Sequence, residues 1–458
     1  GAVEASDDDA GGLIGKSSGS SISASRASGS VTGGDDFVGG LIGNASATEV
    51  SDSWAEGAVT SNGTNGDEVG GLIGYTSSST TVTGSWATGS ATANSGSDSN
   101  DVGGLIGQAD DSTITDSWAT GSVTATDNRA GGLVGYTDSS VIINSWATGS
   151  VNGAGDVGGL IGLANGNITG SYATGDVGGS GDDVGGLVGE MSTTTTVGSS
   201  WASGNAQTSA DFAAGLVAEA NAGRITNSWA SGTVTVTGDD GYAGGLVARS
   251  QGTISGSFAT GSVVGSYNSG TNVGGDYIGG LIGELTGGTV ENSFATGGVT
   301  GDNRVGGLVG YSVSSASVEN SYSIGLVTAR TNVGGLVGSS SSSTASSSYW
   351  NTETSGLSSS DGGTGKTTAE MQDVTTYAGW SIAQGFNSSL TWAICLNVNS
   401  GYPYLTWSYS SDPCITEVNY QFTFRLPDGT ECGAIGPVGV VDGTIYILPG
   451  EDADCRTM

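Results

Sequence analysis

The chain has 458 residues, of which 86 are Gly, 5 are Pro and none is His, with 12% charged and 35% apolar side chains. Its 44 acidic residues against 10 basic ones leave a formal charge of −34, a field that repels phosphate backbones and so excludes nucleic-acid partners. Without His there is no Ser-His-Asp, Cys-His or His-zinc site, and the Gly pattern lacks the three-residue period of collagen.

From the first residues the chain repeats itself. Gly-Gly-Leu-Ile/Val-Gly or a near copy occurs twelve times, with its Leu at Leu13, Leu41, Leu72, Leu105, Leu133, Leu160, Leu187, Leu216, Leu246, Leu281, Leu308 and Leu336. The steps run from 27 to 35 residues. A second signature, Ser-Trp-Ala-Thr-Gly-Ser-Val-Thr in its clearest copies, follows each one, with Arg26 replacing the aromatic in the first. Leu to aromatic spans 12 to 14 residues, aromatic to next Leu 14 to 23. One half of the unit is therefore rigid, and the other is a corner that accepts insertions.

Gly, Ser and Thr are poor helix formers, whereas Val, Ile, Thr, Trp and Tyr suit a pleated surface. Runs such as Thr113-Ile114-Thr115 alternate with period two. One unit carries too few apolar side chains to fold alone, so stacking must supply the core. Residues 1–344 are predicted to form an all-β fold, a β-solenoid of about twelve coils, roughly 58 Å long at about 4.8 Å per coil. The glycines of the motif would permit close backbone approach or a positive φ.

These motifs resemble the GLUG-motif repeats of large bacterial surface proteins, including haemagglutinin-like adhesins. Ser348-Tyr349-Trp350-Asn351 and Gly362-Gly363-Thr364-Gly365 resemble what commonly follows such repeats, so the resemblance reaches to about residue 407. It implies a surface-exposed β-helix and says little about activity.

Residues 345–410, with Trp380, Trp392, Tyr402, Tyr404 and Trp407, are predicted to cap the last coil, and Thr367-Thr368-Ala369-Glu370 reads as a capping box opening the one expected helix. Residues 411–458 are predicted to be a small disulfide-stapled β module, with turns at Asp428-Gly429 and Asp442-Gly443. All four cysteines, Cys395, Cys414, Cys432 and Cys455, lie in the last 64 residues without zinc-type spacing. Two disulfides are expected, preferably Cys395 with Cys414 and Cys432 with Cys455 because each closes a short loop, in an oxidising, extracellular or cell-surface setting. No apolar run nears the ~20 residues of a membrane span, so no membrane insertion is expected.

Two constellations could carry chemistry. Acidic pairs precede the Gly-Gly-Leu motif, among them Asp35 and Asp36, Asp182 and Asp183, and Asp239 and Asp240. Stacked coils would align them into a carboxylate stripe, a candidate Ca²⁺ ladder; the plainer alternative is a solvated edge that discourages sideways aggregation. The second is the aromatic column containing Trp54, Trp86, Trp118 and Trp146. If the small residues beside it face inward, the rings line the outside and could bind surface glycans; if a turn intervenes they form an interior ladder, the preferred expectation because buried stacking is the commoner use.

Gly1-Ala2-Val3 aligns with Gly57-Ala58-Val59, so the chain is expected to start partway through a unit, with an open β-edge suited to self-association through the solenoid ends. The function expected is structural and non-enzymatic: an extracellular stalk or filament subunit projecting from a cell or virion surface, polymerising head-to-tail. A carbohydrate-binding adhesin is the alternative, and a carbohydrate-active enzyme on a β-helix comes third.

Overall fold

The apolar positions of one repeat fall on five short strands. In the fourth coil these are Asp101–Gly103, Ile106–Asp110, Thr113–Thr115, Trp118–Ala119 and Val123–Ala125. Each pairs in parallel with its counterpart in the next coil, in a register that sets like on like: Trp118 beside Trp146, Ile114 beside Ile142, Val123 beside Val151. The computed structural model describes all residues except 7–8, 35, 64–67, 95–99, 127–128, 239–240, 266–275, 415, 426–430, 442–443 and 448–458, and only the backbone of the strands after residue 415. Among the described residues the repeats form four twelve-stranded sheets and one thirteen-stranded sheet of a parallel β-solenoid. Leu105 donates its N–H to the Leu133 carbonyl at 2.8 Å, so the Gly-Gly-Leu motifs lie directly over one another.

The paired glycines serve close approach rather than an unusual φ, since neither Gly103 nor Gly104 has a positive φ. A β-carbon built on Gly104 would lie 2.1 Å from the Gly132 carbonyl oxygen and 2.9 Å from the Ala119 Cβ across the coil. Equivalent contacts recur at Gly71 with Ala87 and at Gly132 with Ala147. The backbone thus presses against the alanine of the Trp-Ala strand and divides the interior in two. On one side lies a column of Leu, Ile and Ala, including Leu105, Ile106 and Ile114. On the other lie columns of Val and Ala, including Val102 and Val123.

A serine precedes each aromatic position, half-buried at Ser25 in the first coil and buried in every later one. From Ser25 to Ser348, each serine N–H donates to the hydroxyl oxygen of the serine one coil further on, at 3.1–3.2 Å. The hydroxyl itself donates to the carbonyl two residues earlier, as from Ser117 to Thr115 at 2.8 Å. The ladder satisfies polar groups that would otherwise be stranded at a sharp corner of the core. The corner is made by a left-handed residue just before the serine in every coil, for example Asp116 (φ 49°) and Asn144 (φ 48°). Asp, Asn and Gly adopt that conformation at least cost, which explains their frequency there.

The insertion-tolerant corner lies between the fifth strand of one coil and the first of the next, as between Val263–Val264 and Tyr277–Gly279. The solenoid continues beyond the expected boundary at residue 344, which falls inside the strand Thr344–Ser346. Tyr349–Asn351 and Thr364–Lys366 complete its thirteen-stranded sheet, with a short Asn351-capped helix, Thr352–Ser355, between them. The chain divides into units 1–366 and 367–458. In the second unit Thr367 and Glu370 form the expected capping box on the helix Thr368–Met371. Trp392–Ile394 pairs with both Ile382–Gln384 and Tyr404–Leu405, and Cys395 is disulfide-bonded to Cys414, with Cα atoms 5.8 Å apart. Thr416–Arg425, Glu431–Val441 and Thr444–Ile447 form an antiparallel three-stranded sheet. The side chain of Cys432 and the whole of Cys455 lie outside the described residues.

Candidate cation site

Two columns of outward side chains flank each Gly-Gly bend. The first residues of the coils' first strands stack as Phe37, Glu68, Asp101 and Arg129, then further along as Asp156, Asp183, Phe212, Tyr242 and Tyr277. The third residues of the second strands stack as Tyr75, Gln108, Tyr136, Leu163, Glu190, Glu219, Arg249 and Glu284. This is a chemically mixed face, with carboxylates interrupted by rings and guanidiniums.

On either side of its middle the charges are matched. Arg129 holds Asp101 through Nε at 2.7 Å and lies 3.9 Å from the centre of the Tyr136 ring. Arg249 is ion-paired with Glu219 and covers the Phe212 ring at 4.8 Å. Between these pairs sit Asp156, Asp183 and Glu190, each contributing an oxygen that lies within 4.8 Å of the other two. Parallel register places Asp156 over Asp183, and the Gly185-Gly186 bend turns the chain so that Glu190 of the same coil faces them.

Asp183 is only 8% exposed, and its Oδ1 is buried without a hydrogen-bond partner. Glu190 accepts from Asn221 Nδ2 at 2.8 Å. Burial, and after it the Glu190 charge, pushes Asp156 up to about 7. Burial and then Asp156 push Asp183 to about 8. Burial and Glu219 raise Glu190 against the opposing effect of the Asn221 hydrogen bond. Oxygen-only donors of this kind suit Ca²⁺, Mg²⁺ or Mn²⁺.

Of the acidic pairs singled out by sequence, Asp183 belongs to this cluster, while its neighbour Asp182 is exposed. Asp36 is half-buried at a left-handed turn, φ 46°. Asp35, Asp239 and Asp240 lie outside the described residues. Asp156 and Glu190 escaped sequence reasoning, although aligning repeats on Gly-Gly-Leu sets Asp156 at the same offset as Asp183 and Glu190 three residues after Leu187.

The aromatic column faces outward, against the expectation of an interior ladder. Ala55, Ala87, Ala119 and Ala147 are fully buried and the neighbouring Trp54, Trp86, Trp118 and Trp146 are half-exposed. With no turn inside the two-residue Trp-Ala strand, alternation sends the alanine in and the ring out. Ten rings from Trp54 to Tyr322 stack one on the next with centroids 4.4–6.0 Å apart and planes within 7°. At the first coil Arg26 pairs with Glu56 at 2.6 Å, and Glu56 also accepts from the Trp54 indole N–H. From Trp54 to Phe258 each ring face inside the stack is covered by its neighbours, which leaves edges rather than faces toward solvent, whereas Phe294 and Tyr322 at the far end are buried.

A third feature lies on the Val-Thr sheet. In-register Asn152, Gly178 and Gln207 leave a notch of about 400 Å³ where Gly178 contributes no side chain, bordered also by Asp176 and Asn205.

The family model of the GLUG motif matches residues 98–124 and 274–300. The chain carries GLUG-motif repeats. The first match spans the fourth coil from just before Asp101–Gly103 to within Val123–Ala125, so that one GLUG motif corresponds to one five-stranded coil. No curated protein matches the chain. The cation-site candidate uses two adjacent coils between the two matched segments, and its three carboxylates lie outside the Gly-Gly-Leu and Ser-Trp-Ala signatures of the repeat. No helix among the described residues is long and apolar enough to cross a membrane.

Proposed function

We propose that this GLUG-repeat solenoid is a non-enzymatic structural protein, an extracellular stalk or adhesin-like rod displayed at a surface. The observation that carries the reading is the devotion of the Gly-Gly, Leu, Ser and Trp of the two signatures to coil stacking: Gly-Gly to the backbone pinch, Leu to the core, Ser to a buried ladder, Trp to an outer stack. The Cys395–Cys414 disulfide and the charge of −34 support an extracytoplasmic setting. End-to-end association belongs to the same proposal, because any uncovered coil rim offers the backbone groups that join its neighbours. Imaging of the purified protein, light scattering at several concentrations, and antibody labelling of intact source cells test it. Globular particles, or an antigen reached only after lysis, would overturn it.

The notch at Gly178 favours a second reading, carbohydrate binding along one face. Its amide and carboxylate groups, from Asn152, Asp176, Asn205 and Gln207, are suited to sugar hydroxyls. A β-carbon on Gly178 would meet only the Gln207 carbonyl, at 3.6 Å, so Gly178→Val fills the notch without a backbone clash. Glycan-array binding that is abolished in the folded variant supports this reading; no binding by the wild type removes it.

A further inference from the structure

We propose that Asp156, Asp183 and Glu190 form a binding site for one hard divalent cation, with Ca²⁺ as the ion it takes, bridging the sixth and seventh coils. Two oxygens on one Ca²⁺, each bonded at about 2.3–2.6 Å, lie at most about 5 Å apart. The oxygens here lie within 4.8 Å of one another, inside that span, and Ca²⁺ accepts irregular oxygen geometry from side chains fixed on a β-ladder, whereas Mg²⁺ demands a near-ideal octahedron.

The cluster differs from an ordinary acidic surface patch in one respect. Asp183 is almost wholly buried, with an oxygen that meets no donor. An uncompensated buried carboxylate is costly, so it must hold a proton or meet a positive charge. The guanidiniums whose charge reaches the cluster are ion-paired to other carboxylates, Arg129 to Asp101 and Arg249 to Glu219. Asn221 holds one oxygen of Glu190 and thereby orients that side chain. Asp182 and Glu219 add negative potential around the three. A cation would neutralise the cluster and tie a first-strand residue of one coil to two residues of the next, adding a cross-link to the ladder hydrogen bonds. The site stands whether or not the solenoid is displayed at a surface, since it rests only on these side chains.

The test is calorimetric titration of the intact chain, stripped with EDTA and dialysed, with CaCl₂ and separately with MgCl₂ at pH 8.5, where protons compete least. The expected result is saturable Ca²⁺ binding that weakens at least tenfold in Asp183→Asn and in Glu190→Gln, is unchanged in the exposed control Asp111→Asn, and is tighter than Mg²⁺ binding. Circular dichroism establishes that each variant is folded. Folded wild-type protein that takes up no Ca²⁺ at millimolar concentration, or binding that both carboxamide variants retain, would overturn the site; equal affinity for Mg²⁺ would overturn the assignment of the ion.

Discussion

Replacing Ser117 by Ala tests whether the serine ladder holds the coil corner. Ser117 Oγ accepts the N–H of Ser85 at 3.2 Å and donates to the Thr115 carbonyl at 2.8 Å. Ser85 is fully buried, so the substitution leaves its N–H without an acceptor, at a cost of about 1–3 kcal/mol. The Thr115 carbonyl keeps a second donor, the N–H of Gly84 at 3.1 Å, and adds only about 0.5–1 kcal/mol. The variant should thus lose about 2 kcal/mol locally, enough to raise the open population at this corner about 30-fold. Hydrogen exchange with mass spectrometry resolves the peptide containing Ser85, where exchange should accelerate by that factor while coils far from it stay protected. Thr120→Ala, at an exposed position in the same coil, should change nothing beyond about 0.5 kcal/mol. An unchanged exchange rate at Ser85 in Ser117→Ala would refute the idea that the ladder bears on stability.

Further outcomes follow from the outer stack, the carboxylates and the disulfide. Trp118→Ala removes stacking on Trp86 at 4.9 Å and on Trp146 at 5.5 Å; the protein should stay folded, lose about 1–3 kcal/mol in urea denaturation, and lose near-ultraviolet exciton intensity. In EDTA, Asp156, Asp183 and Glu190 hold their protons more tightly folded than unfolded, so their contribution to stability is greatest near pH 4 and is lost as pH rises toward about 8. Urea denaturation at pH 5 and pH 8.5 should therefore show a larger stability loss in wild type than in Asp183→Asn, and an equal loss would contradict the assignment. Reducing Cys395–Cys414, which closes a loop of sequence separation 19, should cost the unit 367–458 about 3 kcal/mol; scanning calorimetry with and without reductant should show the shift in that unit's transition and none in the solenoid's.

Much of the architecture was legible because a period of 27–35 residues leaves a chain rich in Gly, Ser and Val little choice but to stack. Repetition of Gly-Gly-Leu placed Leu105 beside Leu133, and the varying distance after the aromatic located the corner that accepts insertions. The Ser before each Trp was equally visible, but its role was not. A hydroxyl two residues beyond a strand looks like a surface group until the turn at Asp116 or Asn144 carries it into the core.

The tertiary structure alone decided direction and neighbourhood. Periodicity shows which residues stack, but the placement of the turn relative to Trp118 and Ala119 determines which of the two points inward. The glycines carried two possible meanings, and only the approach of Gly104 to Ala119 across the coil separates a backbone pinch from a positive-φ turn. Asp156, Asp183 and Glu190 come from two repeats and two strands, and they meet because parallel register stacks the first pair while the Gly-Gly bend folds Glu190 back toward it. A linear sequence specifies what is repeated; the cross-section of the coil, set by packing on both sides of the pinch, determines which of the repeated groups share a space.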